Sequence, residues 1–231
     1  GSWLSSQFRY ELVDVSHDGP LTVAHAGALL AGRYLARFGP ATVEDCQWWA
    51  GWTKTQTRKA IEAAGAVPVE VDSGDGVAEA WVMPEVLDAL AALGPDGSAD
   101  SDGGAGAAAG AGLGKPWVTF LPALDPTTMG WKERGWYLGE GSEVLFDRFG
   151  NAGPTVWAGG DGTGARVVGG WGQRPDGTVV FRLLEPAVSE VSDPAALTDL
   201  AEVEAARIGA WLGGTVVSPR FRAPLERELS S

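Results

Sequence analysis

The sequence predicts an α+β protein: helices with a two-stranded hairpin first, then a β-rich part that ends on a helix. Three observations predict it. Two short helical segments, each opened by a threonine, flank Gly51-Trp52 and run straight into a hairpin. A low-complexity run of Gly, Ala, Ser and Asp over residues 94–114 then divides the chain. Beyond it, β-rich segments alternate with Gly, Pro and Asp turns before a long amphipathic stretch. Helix, tight turn, helix and hairpin in that order make a winged helix-turn-helix module.

Residues 1–20 read as the tail of a preceding element, with a strand-like run over 3–13. Residues 21–38 form an amphipathic helix with Leu21, Ala24, Ala28, Leu29, Leu35 and Phe38 on one side. Gly39-Pro40 breaks it. Thr42 caps the next helix, whose buried face carries Val43, Cys46 and Trp49 or Ala50. Gly51-Trp52 makes the turn, Thr53 caps a helix over 54–64, and Gly65 ends it. Strands at 66–71 and 77–83 flank a polar tip, and Pro84 opens a short helix to residue 93. The winged-helix domain therefore spans 21–93.

Residues 94–114 hold one large side chain, Leu113, and read as a flexible linker. The β-rich domain spans 115–231. Its strands fall at 117–121, 155–158, 166–171 and 178–184, with a glycine-rich tip at 159–164 and a turn at Arg174-Pro175-Asp176-Gly177. Residues 197–212 form a helix stopped by Gly213-Gly214, and 215–217 add a last edge strand. A curled antiparallel sheet or barrel-like arrangement with a helix across it is the simplest packing.

At 231 residues the chain can bury a sizeable core, and its composition, 45 % hydrophobic and 20 % charged, is that of a globular protein. No apolar run has the length of a membrane span and no secretory signal opens the sequence, so the expected location is cytoplasmic. Gly1-Ser2 at the start, with Met83 and Met129 the only methionines, points to a fragment or a tag scar joined to an internal start. Cys46, the one cysteine, excludes an intrachain disulfide and reads as a small buried residue. With only His17 and His25 beside it, no tetrahedral zinc site is expected, and no metal or cofactor is called for. Gly114-Lys115 is followed by Pro116, and the 160–164 run leads into a strand, so neither is a phosphate loop. No serine has a histidine at a relay position.

A net charge of −13 works against nucleic-acid binding, but the charge is uneven. Thr53, Lys54, Gln56, Thr57, Arg58 and Lys59 open the second helix of the helix-turn-helix pair, the one that enters a DNA major groove. The same residues also suit a solvated face or a protein-binding module. Lys132 and Arg134, set between Trp131 and Trp136, form a second candidate, since exposed rings can stack on bases. Arg148, Arg166, Arg174 and Arg182 are weaker candidates for phosphate contacts from the sheet. Asp125, Asp147 and Glu185 are the carboxylates available for acid–base work. Asp125, beside two prolines, reads first as a turn former. The eleven tryptophans are read mainly as packing.

Four stretches together resemble a known family: 121–134 (LPALDPTTMGWKER), 145–154 (LFDRFGNAGP), 167–174 (VVGGWGQR) and 219–227 (PRFRAPLER). They are similar to the actinobacterial winged-helix DNA-binding proteins related to the AlkZ/YcaQ DNA glycosylases, over nearly the whole chain. The resemblance implies tandem winged helices before a β-rich domain, excision of alkylated bases and unhooking of interstrand crosslinks. It also implies a Gln–hydrophobic–Gln motif that positions the attacking water. The glutamines here are Gln7, Gln47, Gln56 and Gln173, no two of them one residue apart, so that motif maps onto no residue present. The chain is read as beginning after that first module. By resemblance, the hairpin over 155–171 contacts DNA.

The expectation is therefore binding of double-stranded DNA, alkylated or crosslinked, as the C-terminal part of a glycosylase-like repair or self-protection protein. The alternative is a protein-interaction or regulatory module without DNA contact or catalysis.

Overall fold

The structure, a computed structural model, describes residues 21–72, 76–91, 115–160, 164–188, 191, 193–219 and 222–231. The expectations for 1–20, for the linker 94–114 and for the two hairpin tips at 73–75 and 161–163 fall outside those residues.

Helix α1 spans Val23–Phe38, and the Thr22 hydroxyl caps it by accepting the His25 N–H at 3.2 Å. Helices α2 (Val43–Ala50) and α3 (Lys54–Ala63) each open on a capping box, Thr42 with Asp45 and Thr53 with Gln56. Gly51 joins them at φ 68°, a left-handed conformation that a residue with a Cβ rarely adopts. The three helices bury Ala31, Tyr34, Leu35, Val43, Cys46, Ala60 and Ile61.

The buried side of α1 keeps Leu35 and Phe38 of the expected set and departs from it nearer the start of the helix. Leu21 and Leu29 are exposed, and the side toward α3 is built from small residues. A Cβ on Gly27 would lie 3.7 Å from the Ala60 Cβ, and one on Gly32 3.6 Å from that of Ala64. Helices that approach this closely have no room for leucine between them.

Strands β1 (Val67–Asp72) and β2 (Val77–Val82) form the antiparallel hairpin, and a bridge from Ala41 to Trp81 ties it to the α1–α2 connection. Helix α4 spans Pro84–Ala91.

The second half is an antiparallel sheet in sequence order, β3 (Trp117–Leu121), β4 (Thr155–Gly159), β5 (Arg166–Gln173) and β6 (Val179–Leu183). Among the described residues it is open, with no closure into a barrel. Alternation along the strands divides its side chains between two cores. Phe120, Val156 and Val168 face α7 (Pro194–Leu212), against Leu197, Ala201 and Ala205. Trp157 and Val167 face the other way, with Tyr137, Leu145 and Leu225. Leu225 belongs to α8 (Pro224–Leu229), which packs closely on β5. A Cβ on Gly170 would come within 2.7 Å of Leu145 and 2.9 Å of Leu225, so only glycine fits there. Helices α5 (Pro126–Met129) and α6 (Glu185–Val188), a 3₁₀ turn at Ser142–Leu145 and α8 are additions to the expected elements.

The edge strand expected at 215–217 does not form; that segment is irregular. The buried Gln173 carboxamide takes the place of a strand partner. Its Nε2 donates to the Thr215 carbonyl at 2.9 Å, and its Oε1 accepts the Val217 N–H at 2.9 Å. With those groups paired to a side chain, the segment needs no ladder.

The two halves meet along a polar and aromatic seam. The Tyr34 hydroxyl donates to the Gly130 carbonyl at 2.8 Å, and the Trp131 Nε1 to the Phe38 carbonyl at 2.9 Å. The Phe38 and Trp131 rings meet edge-on at 5.3 Å. Asp45, only 3 % exposed, accepts the backbone N–H groups of Lys132 at 2.8 Å and Glu133 at 3.0 Å.

Candidate nucleic-acid interface

The amphipathic pattern of α3 sets which side chains leave the surface. Thr57, Ala60 and Ile61 turn inward at helical spacing, which leaves Lys54, Thr55, Gln56, Arg58, Lys59 and Glu62 exposed. Three cations thus share the first two turns.

Thr57 is withdrawn from the predicted contact set. It is fully buried, and its hydroxyl donates to the Thr53 carbonyl at 3.0 Å. A threonine one turn before Ala60 and Ile61 lies on the helix's core side, and the i+3, i+4 spacing in the sequence carries that signal.

Thr53 and Gln56 are exposed but partly committed to the cap. The Gln56 Oε1 accepts from the Thr53 N–H at 3.1 Å and from its hydroxyl at 2.9 Å, which leaves the amide nitrogen to reach outward. Lys54 forms an ion pair with Glu44 of α2. The Lys54 hydrogen bond holds the Glu44 carboxyl below its usual range, and Arg58 adds to the effect. Glu44 therefore stays ionised beside two of the three cations. Lys59 lies along a groove between α1 and α3 that is also lined by Gly27, Leu30 and Ala63.

The second candidate cluster divides. Lys132 is exposed, with its Nζ 3.4 Å from the Glu133 carboxylate. Arg134 is committed to the fold, contrary to its reading as a DNA contact. Its guanidinium lies 5.3 Å from the Trp48 ring and 5.0 Å from that of Phe146, while Nε and Nη1 donate to the Trp131 and Gly150 carbonyls at 3.1 Å each. Part-buried cation–π contacts with both halves make it a cross-link between them. Trp131 lies in the seam, whereas Trp136 is half exposed and meets Trp131 edge-on at 4.9 Å. Of Trp49 and Ala50, the two alternatives for the buried face of α2, Trp49 is 40 % exposed and leans on Tyr34, while Ala50 is half-buried.

The sheet arginines are dispersed. Arg166 is half-buried on β5 and lines a groove with Gly135, Trp136 and Gly139. Arg174 is exposed at the β5–β6 turn, beside Asp176. Arg182 pairs with Glu228 at 2.8 Å.

The remaining candidates have local roles. Asp125 caps α5, accepting the Thr127 N–H at 2.8 Å. Asp147 closes its own loop, and the Asn151 amide, first among several donors, holds its carboxyl below the ordinary range. Burial raises the Cys46 thiol to about 11, so it is a neutral packing group. Among the described residues, no group of three His, Cys, Asp or Glu could hold a metal ion, and no helix is long and apolar enough to cross a membrane.

Asp45 is the residue that the sequence hides. Its cap on α2 is readable from Thr42 three residues earlier, but its bonds to Lys132 and Glu133 span 87 and 88 residues.

A family model, the AlkZ-like DNA glycosylases, matches residues 1–211. No curated protein and no solved structure matches the chain. A match over that length, with DNA as the partner that such a family implies, places the protein in DNA repair. The chain belongs to the AlkZ-like DNA glycosylase family.

Proposed function

We propose that this chain binds duplex DNA through the outer side of α3, with β1–β2 as the wing of a winged helix. The observation that carries the reading is the exposed set Lys54, Arg58 and Lys59 on two turns of a helix whose other side is anchored by Thr57, Ala60 and Ile61. Lysine and arginine there suit phosphates and guanine edges, and the Gln56 amide suits a base acceptor. A local cationic edge supports phosphate contact even in a chain of net charge −13, because charges beyond a Debye length are screened. The docked halves support a rigid clamp on alkylated or crosslinked duplex. The catalytic glutamine pair of the family has no counterpart among Gln7, Gln47, Gln56 and Gln173, so the reading is of DNA binding and assigns base excision to no residue of this sequence.

A second reading, a protein-interaction module, draws on exposed Val23, Leu29 and Leu30 of α1, the kind of surface that partners cover.

Fluorescence anisotropy with a labelled duplex at low salt separates the two. The DNA reading expects saturable binding that weakens about tenfold or more when Lys54, Arg58 and Lys59 are changed together to Ala. Equal binding by both proteins, or none by either, rejects it.

A further inference from the structure

Where the two halves meet, three aromatic rings open onto one cleft. Phe38, Trp131 and Trp136 all line this cleft, which has a volume of about 380 Å³. Phe38 stands at 88° to Trp131 with the ring centroids 5.3 Å apart, and Trp136 stands at 89° to it at 4.9 Å. Phe38 and Trp131 are half-buried and Trp136 is half exposed, so each keeps surface that a ligand can reach. The rings are also fixed in place beforehand. The Trp131 Nε1 donates to the Phe38 carbonyl at 2.9 Å, and the buried Tyr137 ring backs Trp136 at 4.7 Å.

The charges that line the cleft have one sign. Asp45, Asp72 and Glu133 belong to it, and among its described residues there is no lysine, arginine or histidine. Asp45 is too deep to touch a ligand, and its oxygens already accept from neutral donors, so it contributes its field alone. Glu133 is the exposed carboxylate. Its contact with the exposed Lys132 is long, 3.4 Å, and surface pairs of that kind hold little free energy against a competitor. Other walls, Pro40, Val71 and Ala80 among them, are aliphatic.

We propose that this cleft binds a quaternary ammonium cation, its methyl groups against Trp131 and Trp136 and its charge beside Glu133. Ring faces are electron-rich, and a cation within about 6 Å of them is attracted without any hydrogen bond. A primary ammonium brings three N–H donors and a guanidinium five, which aromatic and aliphatic walls leave unpaired at a cost. A trimethylammonium group brings none. It can arrive on a free small molecule such as choline or on a trimethylated lysine of a partner. The cleft's chemistry is independent of the duplex-binding reading, which uses the outer side of α3.

Saturation-transfer NMR on the full chain compares choline with the neutral alcohol in which a tert-butyl group replaces the trimethylammonium. The two have the same shape, so the comparison isolates charge. Choline is expected to bind about fivefold more tightly than the alcohol, and Trp136→Ala to weaken choline by about fivefold or more. Glu133 is exposed, so Glu133→Gln is expected to keep the wild-type melting temperature. It should weaken choline severalfold and leave the alcohol unchanged, which separates ligand loss from unfolding. A glycine-flanked trimethyllysine peptide distinguishes the sources: tighter binding than choline supports a modified partner, and weaker binding a free cation. No choline saturation, equal binding of choline and the alcohol, or indifference to Trp136→Ala overturns the proposal and leaves the cleft as packing at the seam. Equal binding of the peptide's unmethylated twin overturns it as well.

Discussion

The Asp45 carboxylate accepts the backbone N–H of Lys132 at 2.8 Å, which joins the start of α2 to the turn that follows α5. The same oxygen accepts the Glu133 N–H at 3.0 Å, and the other takes the N–H and hydroxyl of Thr42 at 3.0 and 2.8 Å. One buried carboxylate thus serves both a helix cap and the seam between the halves, and it fixes where α3 stands relative to the sheet.

Removing it breaks both functions at once. Asp45→Ala is expected to cost about 3 kcal/mol, since two amides in part-buried hydrogen bonds are orphaned along with the cap, against about 1 kcal/mol for Thr42→Ala. Urea denaturation of the two variants checks this, and equal losses would mean that the contacts at Lys132 and Glu133 carry no stability.

Arg134→Lys separates packing from phosphate contact. A lysine keeps the charge but loses the guanidinium's contacts with the Trp48 and Phe146 rings and its bonds to the Trp131 and Gly150 carbonyls, so stability is expected to fall by about 1–2 kcal/mol. The salt dependence of duplex affinity should stay as in the wild type. A shallower salt slope in this variant would return Arg134 to the DNA contacts.

What the sequence made legible, and what it did not, follows the range of each interaction. The three helices and the hairpin are written in local signals: Thr42 and Thr53 three residues before Asp45 and Gln56, and Gly51 at a left-handed turn. The inward turn of Thr57 was equally local, although its polarity masked it. Helix α8 also had a signal, with Pro224 at its first turn and Leu225 and Leu229 four apart. The roles of Asp45 and Arg134 were not readable, because their partners come from the other half of the chain. The β-branched run at 215–217 resembled a strand, but its partner is the side chain of Gln173, which leaves no alternation to detect.

Glu44 competes with phosphate for Lys54. Its ionised carboxylate pairs with Lys54 and lies near Arg58, so Glu44→Gln is expected to raise duplex affinity severalfold and to steepen the salt slope by about one. Titrations at several salt concentrations check it. Unchanged or weaker binding would place those cations away from the phosphates.

Glu226 gives a pH signature. Burial raises its carboxyl above the ordinary range, so the folded chain keeps a proton that the unfolded chain has already released. Stability from this group is therefore full below the unfolded value and is lost as pH rises through the folded one. Glu226→Gln is expected to melt above the wild type at neutral pH and to match it in acid. A variant that melts lower at neutral pH would contradict the assignment.

The most direct test of the DNA assignment is the slope of log affinity against log salt for a duplex, measured for the wild type and for the variant with Lys54, Arg58 and Lys59 changed to Ala. The account predicts a slope shallower by about two to three in the variant, as each lost phosphate contact removes close to one released counterion. Identical slopes would show that α3 does not touch the backbone and would contradict the account.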